Sequence, residues 1–166
     1  MFWQKRNWKA VAAMYGRTEI APGIERIQFD SFDEWLNARH GIGGSDASAV
    51  LGMSPYKTNV ELWEEKCNIR VPNDISDKDY VKYGHDAEPL IRGLFALDHT
   101  EYDVEYYDNN MIRNEKYAWA HASLDGELTD QIGRKGILEI KTTNILNPMQ
   151  RQKWDGRIPD NYYIQV

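Results

Sequence analysis

Cysteine is nearly absent: Cys67 is the only one among 166 residues. One thiol excludes a disulfide framework within the chain and any cysteine-based zinc or iron–sulfur site, and it fits a reducing compartment. Long apolar runs are missing as well. Nothing approaches the roughly 20 apolar residues of a membrane span. The opening MFWQKRNWKAVAAMYGR is basic, but its apolar run is too short for a signal peptide. The expectation is a soluble, cytoplasmic protein. An excess of positive charge is lacking too, since the net charge is −6, and by that sum the chain does not suggest a nucleic-acid binder. The distribution says more than the sum. Acids crowd into residues 72–108, whereas 134–157 carries Arg134, Lys135, Lys141, Arg151, Lys153 and Arg157 against Glu139 and Asp155. There are no internal repeats and no low-complexity segments. What is present is a globular composition, 42% hydrophobic and 12% aromatic, at a length that buries a core as one domain.

Helical signals dominate the first half. In DSFDEWLNARHG, Asp30 or Ser31 can cap a helix carrying Phe32, Trp35 and Leu36, with Gly41 as its stop. Ser45 can cap a short helix of small residues ended by Gly52 and Pro55. Thr58 followed by Glu61 three residues later is a capping box. Residues 71–79 form an acidic, turn-rich loop. A longer helix is expected over 78–97, with Ala87, Leu90, Ile91, Leu94 and Phe95 on one apolar face. Gly84 and Pro89 are poor choices for its interior, and a broken local rule beside Glu88 often marks a site. From Glu101 the period shifts toward two. EYDVEYYD, MIRN, AWAHASLDGEL and GILEIKTT are expected strands, with turns at 108–110 and at Gly133. NPMQRQKWDG is expected to be helical. IPDNYYIQV begins a further helix, capped by Asp160 or Asn161, that is expected to continue beyond Val166.

Three acids and a lysine stand out. Glu88 lies on a helix, Asp125 stands before a Gly, and Glu139 and Lys141 are two apart on an expected strand over residues 136–142, hence on one face. Carboxylate oxygens with retained water are what Mg2+ takes, phosphate substrates completing its shell. A metal so held activates water and stabilises charge on a phosphodiester. Lys141 could orient that water or neutralise the developing oxyanion. Taken alone, Glu–Lys at this spacing is ordinary solvated surface, and Asp-Gly is ordinarily a turn. The conjunction is what carries the functional reading.

The pattern resembles the PD-(D/E)xK nuclease superfamily, with Ser123-Leu124-Asp125 in the first slot and Glu139-Ile140-Lys141 in the second. More narrowly, it is similar to the YqaJ-type viral recombinase family, relatives of the lambda-type exonuclease. The blocks that carry this are WLNARHGIGGSDASAVLGMSPY, ELWEEK, YGHDAEPLI, HASLDGEL, GILEIKTT and IPDNYYIQV, in that order. Residues 1–30 fall outside it as an N-terminal extension, and 31–166 would be the nuclease domain, its C-terminal part expected to be missing. Leu124 stands where the superfamily motif has proline.

The resemblance implies an α/β fold with a restriction-endonuclease-like core, a central mixed sheet of four or five strands flanked by helices. It implies that Asp125, Glu139, Glu88 and the Ile140 carbonyl hold Mg2+, with Mn2+ able to substitute, and that Lys141, Glu139 and Asp125 are catalytic. Arg39 and Ser45 match positions that hold the 5′-phosphate of a DNA end, and Gln165 matches a supporting glutamine behind the site. A further family acid aligns loosely with Glu115. The implied function is 5′ to 3′ resection of double-stranded DNA ends in phage-type recombination, in a bacterial or phage-infected cell. A homo-trimeric ring and a single-strand annealing partner belong to the same implication, and no membrane does. An endonuclease of the superfamily and a catalytically silent DNA-binding or assembly module remain open. From the residues alone, Arg39 would cap its own helix, and His40, His85 and His121 would be structural. Trp3, Trp8 and Tyr15 could pack on the domain or on a neighbouring subunit.

Overall fold

The structure is a computed structural model and describes residues 16–166; Trp3, Trp8 and Tyr15 lie outside the described residues. In chain order the first elements are β1 (Gly16–Ala21), β2 (Ile24–Gln28), α1 (Phe32–Ala38), β3 (Ile42–Gly43), α2 (Ala47–Val50), α3 (Asn59–Lys66) and α4 (Asp79–Asp98). They are followed by β4 (Tyr102–Glu105), β5 (Asn110–Asn114), β6 (Ala120–Ala122), β7 (Gly126–Asp130), β8 (Lys135–Leu138), α5 (Pro148–Lys153) and α6 (Asp160–Tyr163). The architecture is mixed α/β, with a five-stranded mixed sheet and helices, consistent with a restriction-endonuclease-like core. The described residues divide into two compact units, 16–44 with 107–123, and 45–106 with 124–166.

The first unit holds the five-stranded sheet, in the order β1-β2-β5-β6-β3. Its opening hairpin turns at Pro22-Gly23, where proline presets its own φ and Gly23 takes φ +71. This hairpin is not among the expected strands, and Pro-Gly between two alternating runs is its signal. Strand β2 pairs antiparallel with β5, setting Ile27 opposite Met111. These two join Phe29 and Ala38 in the buried core, with Trp35 packed against it. Ser31, rather than Asp30, caps α1 by accepting from the Glu34 amide. Strand β3 pairs parallel with β6, and Gly41 permits it: a Cβ there would stand 2.5 Å from the Trp119 carbonyl oxygen.

The second unit holds a three-stranded antiparallel sheet, β4-β7-β8. The expected strand AWAHASLDGEL is therefore two strands in two sheets, broken at residues 123–125. The expected strand over 136–142 ends at Leu138, so Glu139 and Lys141 lie past the ladder. Thr58 and Glu61 form the expected capping box on α3. Two expected caps are not made. Residues Gly44–Asp46 form a 3-10 turn, so the residue ahead of α2 is Asp46, not Ser45. Pro159 precedes α6 without a side-chain cap, in place of Asp160 or Asn161. Helix α4 matches its expected span, but Leu90 and Leu94 are exposed rather than part of one apolar face. The reason is local: the helix meets β4 at its C-terminal end, where the Phe95 ring lies 4.4 Å from His99 and 6.4 Å from Tyr102. The half-buried side of the helix runs through Ala87, Ile91 and Phe95, and Arg92 beside it reaches Asp125.

Candidate active site

A cavity of about 630 Å3 in the second unit is lined by Glu88, Asp125, Ile140 and Lys141, together with Ser45 and Gln165. Three elements deliver the acids. Glu88 projects from the middle of α4, where Gly84 lets the helix approach the chain after β8; a Cβ there would meet Thr142 Oγ1 at 3.3 Å. Pro89 removes the amide that would serve the His85 carbonyl one turn back. Asp125 immediately precedes β7, and Glu139 immediately follows β8. The ladder pairs Gly126 with Leu138, so the next residues outward, Asp125 and Glu139, come together by register alone. The Asp125 carboxylate then accepts from the Ile140 amide at 2.7 Å, which fixes the chain beyond the strand end. Lys141 Nζ lies 4.0 Å from Asp125 Oδ2 and donates to Glu139 Oε1. Gln165 Nε2 donates to that same oxygen at 2.5 Å.

The electrostatics are those of crowded acids. Burial, and then the charge of Asp125, hold the Glu88 carboxyl above its ordinary range against the pull of Arg92. Burial holds Glu139 up as well, with Asp125 adding to it and Lys141 opposing. In both cases desolvation outweighs the neighbouring cation, so the anions are held at a cost. Among the described residues, no group of three or more His, Cys, Asp or Glu side chains is assembled for a metal ion; the acids are engaged by Arg92, Lys141 and Gln165. The donor chemistry nevertheless fits a hard divalent cation. Mg2+ keeps several waters and takes only one or two carboxylates plus substrate oxygens, so a closed protein cage is not required. Two half-buried carboxylates held above their usual range are the groups such an ion would relieve.

The comparisons with known proteins bear on the same residues. Residues 34–166 match the YqaJ-like viral recombinase domain, which takes in all of the cavity. The chain belongs to that family. A relative, the Bacillus subtilis (strain 168) protein named "Uncharacterized protein YqaJ", is 35% identical over 138 residues, 82% of this chain. The chain spans about 40% of that relative's length. No solved structure matches.

The family match begins inside α1, so the β1–β2 hairpin precedes it. Of the residues singled out from the sequence, Glu88, Asp125, Glu139, Ile140, Lys141, Ser45 and Gln165 all belong to the second unit. Arg39 belongs to the first, as the residue ending α1, its guanidinium 4.5 Å from the centre of the Trp35 ring. Glu115 is also in the first unit, exposed in a 3-10 turn. His121 is buried in β6, whereas His85 lines the cavity. Arg92, not among the residues singled out from the sequence, has its Nη2 2.6 Å from Glu88 Oε1. Its signal is the i, i+4 Glu–Arg spacing on a helix.

Proposed function

We propose that this chain is the cleaving domain of a phage-type recombination nuclease, hydrolysing DNA with Mg2+ and resecting duplex ends 5′ to 3′. Membership of the family supports the coarse reading. The observation that carries the finer one is the convergence of Glu88, Asp125 and Lys141 on one cavity, with Glu139 bound to Lys141. Asp125, Glu88, Glu139 and the Ile140 carbonyl would hold the ion. When bound, Mg2+ supplies an activated water and stabilises charge on the phosphodiester. The chain's own groups supply the rest. Glu139 and Asp125 hold the Lys141 ammonium where an attacking water or a developing oxyanion would sit. Gln165 in turn fixes Glu139. In this reading Ser45, on the cavity wall, contacts the 5′-phosphate of the DNA end, and a phosphate contact by Arg39 is tested separately. A trimeric ring and an annealing protein that takes over the exposed strand complete the proposal.

The test is digestion of end-labelled duplex by the full-length protein, with Mg2+ and with chelator. The substrates are 5′-phosphorylated and 5′-hydroxyl linear DNA and a covalently closed circle. Degradation of the linear phosphorylated duplex alone, stopped by chelator, is expected. Cleavage of the circle would make the protein an endonuclease. A folded protein that cleaves none of them with Mg2+ or Mn2+ would be a silent module.

A further inference from the structure

Arg92 adjoins the site, bonded to Glu88 and to the Asp125 main chain, without a part in the chemistry above. It lies one turn beyond Glu88 on α4, its side chain 13% exposed. Three contacts fix it. Nη2 donates to Glu88 Oε1 at 2.6 Å, Nε donates to the main-chain carbonyl of Asp125 at 2.5 Å, and the guanidinium lies 3.6 Å from the centre of the Tyr106 ring. A Glu–Arg pair at this spacing on a solvated helix adds little. Here one side chain joins two elements that carry different acids. A planar fork presents two donors in fixed directions, which a flexible ammonium does not, and it stacks on an aromatic face. The bond to Glu88 uses one carboxylate oxygen and leaves the second as a ligand. The bond at Asp125 uses the backbone and leaves its carboxylate to Ile140 and Lys141.

We propose that Arg92 is a positioning residue that holds Glu88 and the main chain of Asp125 as one frame, so that both acids reach a divalent ion together. This rests on the metal-dependent reading above. Arg92 touches neither the ion nor DNA; it acts through the two acids. A rival role has the opposite sign. A cation beside a metal site repels the ion and competes for Glu88, so a mere competitor would tighten metal binding when removed. Outer partners of metal ligands cost about 10–100-fold in metal affinity when lost.

The experiment is calorimetric titration of the full-length protein with Mn2+, on wild type, Arg92→Lys, Arg92→Met and Asp125→Ala, each melted in chelator. Arg92→Lys is expected to melt close to wild type and bind Mn2+ about 10–100-fold more weakly, with Arg92→Met at least as weak. Should Arg92→Met fail to fold, Arg92→Lys decides alone. Wild-type or tighter affinity in either folded variant overturns the role of Arg92. A wild type that binds no Mn2+, or an Asp125→Ala that binds as wild type does, overturns the metal reading and this inference with it.

Discussion

Replacing Glu139 with Gln should leave the metal-free protein no less stable while removing its activity. The sign follows from the surroundings of the carboxylate, whose side chain is 16% exposed. Burial and Asp125 raise its pKa in the fold despite Lys141. A group whose folded pKa exceeds its unfolded one favours folding in its neutral form. That contribution is complete below the unfolded value, about 4.3, and is lost as pH rises through the folded one. At pH 7 the wild type carries the cost of the anion. Glutamine keeps the shape and a carbonyl acceptor for Lys141, without the charge. Each unit of upward displacement corresponds to about 1.4 kcal/mol, and 1 kcal/mol moves the melting temperature of a chain this long by about 2–4 °C. In chelator at pH 7, Glu139→Gln should therefore melt at or a few degrees above wild type, the gap closing below about pH 4. Metal reverses the order. An ion at a hundred times its Kd adds about 2.7 kcal/mol, so wild type should gain about 5–10 °C with Mn2+ and the variant much less. Cleavage should fall on the order of a hundredfold or more. Differential scanning calorimetry across pH, with and without Mn2+, reads all of this. A variant melting several degrees below wild type in chelator, or gaining as much from Mn2+, would refute the reasoning.

Lys141→Met should retain Mn2+ binding within a few-fold while losing turnover, because in the proposed chemistry its ammonium serves the water or the oxyanion rather than the ion; equal loss of both by calorimetry and digestion would contradict this. Arg39→Ala should abolish any preference for 5′-phosphorylated over 5′-hydroxyl ends. A variant that still discriminates returns Arg39 to its place at the end of α1. Gly41→Ala should destabilise by about 1–3 kcal/mol, since its Cβ would meet backbone at 2.5 Å and β3 must shift from β6. Melting within a degree of wild type would show that β3 has room.

The parts of the fold legible in the sequence are those decided locally. The Thr58–Glu61 capping box and the span of α4 depend on neighbours within a turn, and both appear as read. The break inside AWAHASLDGEL was not legible, because apolar alternation continues across Ser123 while the pairing partner changes from β5 to β8. Leu90 and Leu94 read as core by helical spacing, but spacing says which residues share a face, not which face is covered. The acids of the site were legible as a set, whereas their partners were only partly so. Gln165 was named for its support, but nothing in a linear reading says that it shares Glu139 Oε1 with Lys141. Arg92 escaped because Glu-x-x-x-Arg is common on helices, and its second bond, to Asp125, crosses 33 residues of chain.

The turn closing the β7–β8 hairpin lies four ladder pairs away from the acids, yet it sets their spacing. Gly133 takes φ +82 there, and the Asp130 carboxylate accepts from the amides of Ile132 and Arg134 and from Arg134 Nε. Those bonds hold the Asp130 carboxyl below its ordinary range and count off how many residues the turn consumes. A sheet has a period of two, so a slip of one residue would present Leu138 or Ile140, according to its direction, where Glu139 now stands. The hairpin thus works as a ruler, calibrated at its closed end and read at its open one. An insertion at Gln131 or Ile132 would be a surface change by location and a change at the Asp125–Glu139 pair by consequence.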